Sequence, residues 1–185
     1  MVEKLTGRPW ETLITERLFK LLHMDSAGFG PPGTIGEVDQ PWGHTRKLGN
    51  TVPMQSDNPP AIAPAGRVHC SLDTLARFTL FQMEGERTGS LLKPETFRKL
   101  HTPSPGSNYA CGWIVVKRGW AGGNALTHSG SNTMWYVVMR LAPEKDFSVI
   151  VATNVAGPDA EKGCDEVAST MIQKWLVNYS QTHYW

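Results

Sequence analysis

Apolar residues follow a helical period in the first third, the middle and the end of the chain, and an alternating period between the last two. Trp10, Leu13, Ile14, Leu18, Leu21 and Leu22 recur every three to four positions, and Pro9 suits a first turn because its missing N–H is lost there anyway. They predict a helix from about Pro9 to His23. Ahead of it, Met1 to Leu5 followed by Gly7 reads as the last turn of another helix with a glycine stop. Ser71 can N-cap a helix through about Glu84 on which Leu72, Leu75, Ala76, Leu80 and Met83 form one stripe, and a short helix follows from Pro94 to His101. The period then changes. Tyr109 to Lys117, Ala125 to His128, Met134 to Leu141 and Phe147 to Thr153 are short β-branched and aromatic runs, which predict neighbouring strands within 109–153. The Pro143-Glu144-Lys145-Asp146 turn is too short for a parallel crossover, so the last two strands form an antiparallel hairpin. A final helix over 159–179 turns Cys164, Val167, Ala168, Met171, Trp175 and Leu176 toward one sheet face. The fold class is α+β, an antiparallel sheet flanked by helices in a single domain, 1–185.

Between the first two long helices, residues 28–68 carry seven glycines (28, 30, 33, 36, 43, 49, 66) and seven prolines (31, 32, 41, 53, 59, 60, 64). That density of breakers leaves no long regular element. A loop region of this length is functional or is packed against other parts of the protein.

Composition narrows the function classes. Of 185 residues, 40% are hydrophobic and 19% charged, within the range of a chain that buries a core, and the formal net charge is only +1. No block of like charge marks a nucleic-acid or anionic-membrane partner, and no run approaches the ~18 apolar residues of a membrane helix. Residues 1–9 lack the apolar middle of a signal peptide, which leaves localisation open. Cys70, Cys111 and Cys164 are scattered and odd in number, so they read as small buried apolar residues rather than a disulfide or metal framework. His23, His44, His69, His101 and His183 show no metal-ligand spacing, so neither a metal nor a cofactor is expected. Trp10, Trp113 and Trp175 fit core positions, whereas Trp42 and Trp135 are better placed to line a cleft, with core or loop-anchoring packing the alternative for each.

His128-Ser129-Gly130-Ser131 lies between two predicted strands, and the whole run from Thr127 to Asn154, with Ala142-Pro143-Glu144-Lys145-Asp146-Phe147, resembles the third motif region of serine β-lactamase-related hydrolases and penicillin-binding proteins. Thr6 to Glu11, Pro64 to Val68 and Ser71 to Phe78 are similar to stretches that lie C-terminal of the second motif in that family, so the resemblance covers nearly the whole chain. It implies the C-terminal part of a β-lactamase/DD-peptidase-like fold. It also implies an acyl-transfer chemistry in which a Ser-x-x-Lys serine attacks an ester, amide, lactam or D-peptide carbonyl without a cofactor. By the same resemblance His128 takes the cation position and Gly130 lets substrate approach the strand. The backbone N–H of Ser131 donates to the oxyanion and Ser129 lines the site, while Trp135 and Trp42, by their positions in the chain, are the candidates to bind substrate beside it. An imidazole in that position predicts activity that varies between about pH 5 and 8, where a lysine would not titrate.

The family's nucleophile is not convincingly present. Ser90-Leu91-Leu92-Lys93 matches Ser-x-x-Lys and Ser56-Asp57-Asn58 matches the second motif, but they occur in the wrong order, and Pro94 puts Ser90 in a loop. Ser56 to Pro60 reads as a turn. The expectation is therefore a portion of a serine acyl hydrolase of esterase, amidase, carboxypeptidase or β-lactamase type, inert alone, whose partner is a missing N-terminal nucleophile region or a second chain. Its substrate is a small-molecule or peptide acyl compound. The alternative is a stand-alone binding module without catalytic activity.

Overall fold

The first apolar repeat closes as α1 (Val2–Thr6), stopped by Gly7 at φ 67°, and α2 (Trp10–Ile14), which widens into a π-helical turn over Thr15–Phe19. The structure, a computed structural model, describes residues 1–37 and 39–182. Five-residue hydrogen bonds, Lys20 N–H to the Thr15 carbonyl and Met24 N–H to the Phe19 carbonyl, carry the chain to His23, whose φ of 52° ends it. The helix expected from Pro9 to His23 is thus regular only in its first half.

Residues 28–68 contain β1 (Gly28–Phe29), β2 (Gly43–Lys47), β3 (Asn50–Met54) and α3 (Ala63–Gly66). The short β4 (Val68–His69) returns to pair with β1, and β2 and β3 form an antiparallel hairpin. Leu48 (φ 49°) and Gly49 (φ 81°) both take the left-handed conformation that a two-residue hairpin turn requires. Leucine rarely takes that conformation, and Pro53 is tolerated because β3 is an edge strand, so the pattern of breakers conceals this hairpin.

Next come α4 (Leu72–Thr88) and α5 (Pro94–Leu100), α4 running a full turn beyond the expected Glu84. Ser71 occupies the N-cap, but its hydroxyl bonds Thr74 Oγ1 and Ser26 Oγ instead of a backbone N–H. The sheet is a meander of β5 (Tyr109–Ala110), β6 (Trp113–Arg118), β7 (Gly123–Ser131), β8 (Tyr136–Ala142) and β9 (Phe147–Thr153), every neighbouring pair antiparallel. The first expected strand is broken at Cys111-Gly112, and β7 runs straight through the His-Ser-Gly triplet where an end was expected. The chain closes with α6 (Pro158–Thr182).

Each sheet face carries its own core. On one, Trp113, Val115, Leu126, Met139 and Leu141 pack with Met83, Leu75 and Phe78 of α4. On the other, Tyr136, Val138 and Val149 pack with Cys164, Ala168 and Ile172 of α6. The helix faces differ from those the apolar spacing predicts. Leu72 and Leu80 are exposed while Thr74, Thr79 and Gln82 are buried, and Val167 and Met171 are exposed where Ile172 is buried. The cysteines divide as well: Cys164 is buried, Cys70 half-buried and Cys111, contrary to expectation, exposed. Among the described residues no helix is long and apolar enough to cross a membrane.

Candidate functional site

The pleat sorts the third-motif residues onto two faces. Cross-strand partners share a face, and His128 is opposite Met139 while Ser129 is opposite Val138. His128 and Gly130 therefore look toward the α4 layer, and Ser129 and Ser131 toward the α6 layer. The side chain of Ser129, expected to line the site, projects from the face opposite His128.

On its own side His128 is fixed by two contacts. Its Nδ1 donates to the Gly112 carbonyl at 2.5 Å, and its ring meets the edge of the Trp113 indole with centroids 6.3 Å apart. A proton held on Nδ1 leaves Nε2 as an acceptor in the neutral ring and a donor in the cation. A Cβ on Gly130 would lie 3.7 Å from Nε2, so the glycine keeps the space beside that nitrogen open.

The strand edge next to it is also open. Pairing of β6 with β7 ends at Ile114↔Thr127, whereas pairing of β7 with β8 continues to Ser131↔Tyr136. His128 to Ser131 thus have no strand partner on the β6 side among the described residues. Backbone N–H and C=O groups along such an edge can take up an extended ligand.

Beyond the edge, the turn from Ser131 to Trp135 is tied by side chains. The Ser131 hydroxyl accepts from Thr133 N–H at 3.0 Å and donates to the Trp135 carbonyl at 2.8 Å, so only the backbone of Ser131 is left to meet a substrate. Asn132 Oδ1 accepts from the N–H groups of Met134 and Trp135, at 3.2 and 3.1 Å. Over this turn lies the Gly/Pro-rich region. Trp135 Nε1 donates to the Pro41 carbonyl at 3.0 Å, His44 N–H donates to the Met134 carbonyl at 3.2 Å, and Gly43 sits against both Met134 and Trp135. Trp42, a candidate for lining the cleft or anchoring the loop, donates its Nε1 to the Glu37 carbonyl, and its own carbonyl accepts from Asn154 Nδ2. It ties the start of β2 to Asn154, just beyond β9. The loop region is thus packed against the third-motif turn.

Ser90 stands elsewhere. It lies in a bend between α4 and α5, with Lys93 in extended backbone (φ −66°, ψ 148°), so the two do not share a helical turn. Three residues earlier Arg87 bonds Asp146, in the turn between β8 and β9, at the end of the sheet away from Ser131. Ser56-Asp57-Asn58, by contrast, lies beside the third-motif turn: Asp57 is buried and holds Asn132, a link that no motif spacing signals. A surface groove of about 810 Å³ between β8 and α6, lined by Tyr136, Arg140, Asp165 and Ser169, opens on the face opposite His128. Among the described residues no group of three His, Cys, Asp or Glu side chains is arranged to hold a metal, and His183 lies outside those residues.

A family profile described as Beta-lactamase matches residues 1–170. No curated protein sequence matches the chain. Among solved structures, the octameric penicillin-binding protein homologue from Pyrococcus abyssi shares 26% identity at a TM-score of 0.70, covering 85% of this chain and 36% of that one. The D-amino acid amidase from Ochrobactrum anthropi SV3 shares 18% identity at a TM-score of 0.72, over 97% of this chain and 54% of that one. A D-stereospecific amidohydrolase from Streptomyces sp. shares 18% identity at 0.68, over 90% and 50%. The chain spans between about a third and a little over half of these structures.

Proposed function

The chain belongs to the β-lactamase family and has its hydrolase fold, and from that premise we propose that it forms the third-motif wall of a serine acyl hydrolase. The observation that carries the reading is the open edge of β7 from His128 to Ser131, set beside an imidazole whose Nδ1 is already engaged by Gly112. An extended acyl substrate lies along that edge. The Ser131 backbone N–H donates to the carbonyl oxygen, and His128 Nε2 meets the polar group next to the scissile bond.

In this reading a serine outside residues 1–185, on another segment or on a partner chain, attacks the carbonyl carbon. Its proton passes to a neighbouring base, which returns it to the leaving alcohol or amine as the ester, amide or lactam bond breaks, and water later releases the acyl group. Charge developing on the carbonyl oxygen is what the preorganised strand N–H stabilises, a contribution of about 2.7–4 kcal/mol per donor in comparable sites. Trp135 closes the far end of the edge. The amide-hydrolysing solved relatives favour amides of D-amino acids as the first substrates to try.

The test is to titrate the 15N-labelled chain with D-phenylalanine amide and, separately, with benzylpenicillin, while reading backbone amide shifts and intact mass. The expected result is shifts concentrated at residues 128–131 and 135, weakened in His128→Ala, with no mass added. Shifts spread over the surface and sparing that edge would refute the reading, and so would covalent acylation of Ser90.

A further inference from the structure

Asp57 and Asn132 are 75 residues apart in the chain and 3.0 Å apart in space. The Asp57 side chain is only 5% exposed. Its Oδ1 accepts from Asn132 Nδ2 and, at 2.7 Å, from the Asn58 N–H, while its Oδ2 faces Arg67 Nε at 3.6 Å. Both Oδ2 and Arg67 Nε are buried without a hydrogen-bond partner among the described residues. A carboxylate removed from water to this degree is held for what it contacts, since its desolvation is not recovered by a pair at that separation.

What it contacts is the amide that organises the third-motif turn. Asn132 spends its NH2 on Asp57 and its oxygen on the N–H groups of Met134 and Trp135. A negative charge on the donor side of an amide makes its oxygen a stronger acceptor, as hydrogen-bonded chains polarise one another. The turn needs such help, because Thr133 sits at φ 75°, a conformation that β-branched residues rarely take.

We infer that Asp57 is a positioning residue for the acyl site: through Asn132 it holds the Ser131 to Trp135 turn in the shape that aims the Ser131 backbone N–H. Its importance for catalysis rests on the function proposed above, while the mechanical link from Asp57 to the turn does not. Gly30 N–H donates to the Arg67 carbonyl and Asn58 Nδ2 to the Gly66 carbonyl, so the support is itself anchored in the Gly/Pro-rich region. That region thereby serves as scaffolding for the end of β7.

The test is residue-resolved amide hydrogen exchange on the 185-residue chain. Asp57→Ala lowers the protection of the Met134 and Trp135 amides about tenfold relative to the Met139 amide in the middle of the sheet, and Asp57→Asn, which keeps the shape and one acceptor, lowers it about threefold. In an Asn132→Ala background, where those two amides have already lost their acceptor, Asp57→Asn adds nothing further. Asp146→Asn, in the exposed ion pair with Arg87 at the other end of the sheet, leaves the ratio unchanged. The inference is overturned if Met134 and Trp135 fall no further than Met139 in the Asp57→Asn chain, or if the threefold fall persists without Asn132. Binding of D-phenylalanine amide is a separate readout. If the unaltered chain does not bind it, the proposed function fails while hydrogen exchange still tests the link. If it does bind, Asp57→Asn weakens binding by about the same threefold factor.

Discussion

Gly43→Ala adds one methyl group at the point where the Gly/Pro-rich region rests on the third-motif turn. Built on the backbone, that methyl stands 2.7 Å from Met134 Cβ and 2.7 Å from Trp135 Cη2 and Cζ2. Carbon atoms in contact settle about 3.5–4.0 Å apart, so each neighbour must retreat by roughly 1 Å. Neither retreats easily. Met134 Cβ is tied to the backbone, and the Trp135 indole is held at one end by its bond to the Pro41 carbonyl. Overpacking of this kind destabilises by about 1–3 kcal/mol, and a broken indole hydrogen bond adds about 1 kcal/mol. Against this, replacing glycine at an ordinary φ stiffens the unfolded chain and returns about 0.4–1 kcal/mol. The net expectation is a loss of about 2 kcal/mol. In urea, with m of roughly 2 kcal/mol/M, the midpoint falls by about 1 M at unchanged m, and Tm falls by about 4–8 °C. An unchanged or raised midpoint would show that the entropic gain outweighs the clash and that Gly43 is not the contact that seats the loop region on β7.

Phe97, 0% exposed and edge-on to Phe81 at 4.9 Å between centroids, locks α5 against α4, so Phe97→Ala lowers stability by about 3–5 kcal/mol in the same urea assay. Burial, and after it the Asp73 carboxylate, push the Cys70 thiol up to about 11 from its ordinary 9.0. Between those values the unfolded chain is the one that loses its proton, so the Cys70 contribution to stability is intact below pH 9 and drains away as pH rises toward 11; Cys70→Ala removes that part of the alkaline slope. At pH 8 an alkylating reagent labels the exposed Cys111 first and leaves the buried Cys164, whose thiol burial also pushes upward, until the chain unfolds, an order that peptide mass mapping reads directly.

Much of this arrangement is legible from spacing alone. The period-two runs locate the strands of the main sheet, and the final helix falls within two or three residues of its expected ends. Periodicity does not say which side of a helix the tertiary structure will use. Leu80 is exposed and Thr79 buried because α4 meets β9 through the Thr79 and Ser148 hydroxyls, a pairing visible only once both elements are placed. The hairpin of β2 and β3 escapes because its turn uses Leu48 where Asn or Gly is usual. At the site, the ordered run around His128 carries the resemblance to the family, but Asn132 lies 75 residues beyond Asp57, whose Ser-Asp-Asn match reads as a turn, and no spacing links either of them or Gly43 to the third motif. The nearest signal is the breaker density of residues 28–68, which marks a segment folded for contact and not for regular structure.

The open edge and the orientation of His128 have one origin. Cys111 (φ 44°) and Gly112 (φ 101°) turn the chain sharply between β5 and β6, so β6 begins only at Trp113 and its pairing with β7 stops at Thr127. The same turn delivers the Gly112 carbonyl to His128 Nδ1. Had the strand begun a few residues earlier, its backbone would have occupied the edge from His128 to Ser131, and the imidazole would have lost the acceptor that fixes its proton. A left-handed non-glycine residue is disfavoured by about 1–2 kcal/mol, and Cys111 bears this where the local geometry both vacates a strand edge and aims a side chain beside it. Gly112→Ala is the sharper probe of that coupling than any change at His128 itself: strain at φ 101° disturbs the turn, and the His128 ring and the amides of 128–131 should shift together. If the ring moves while those amides stay put, the two features are separate and the turn is not their common cause.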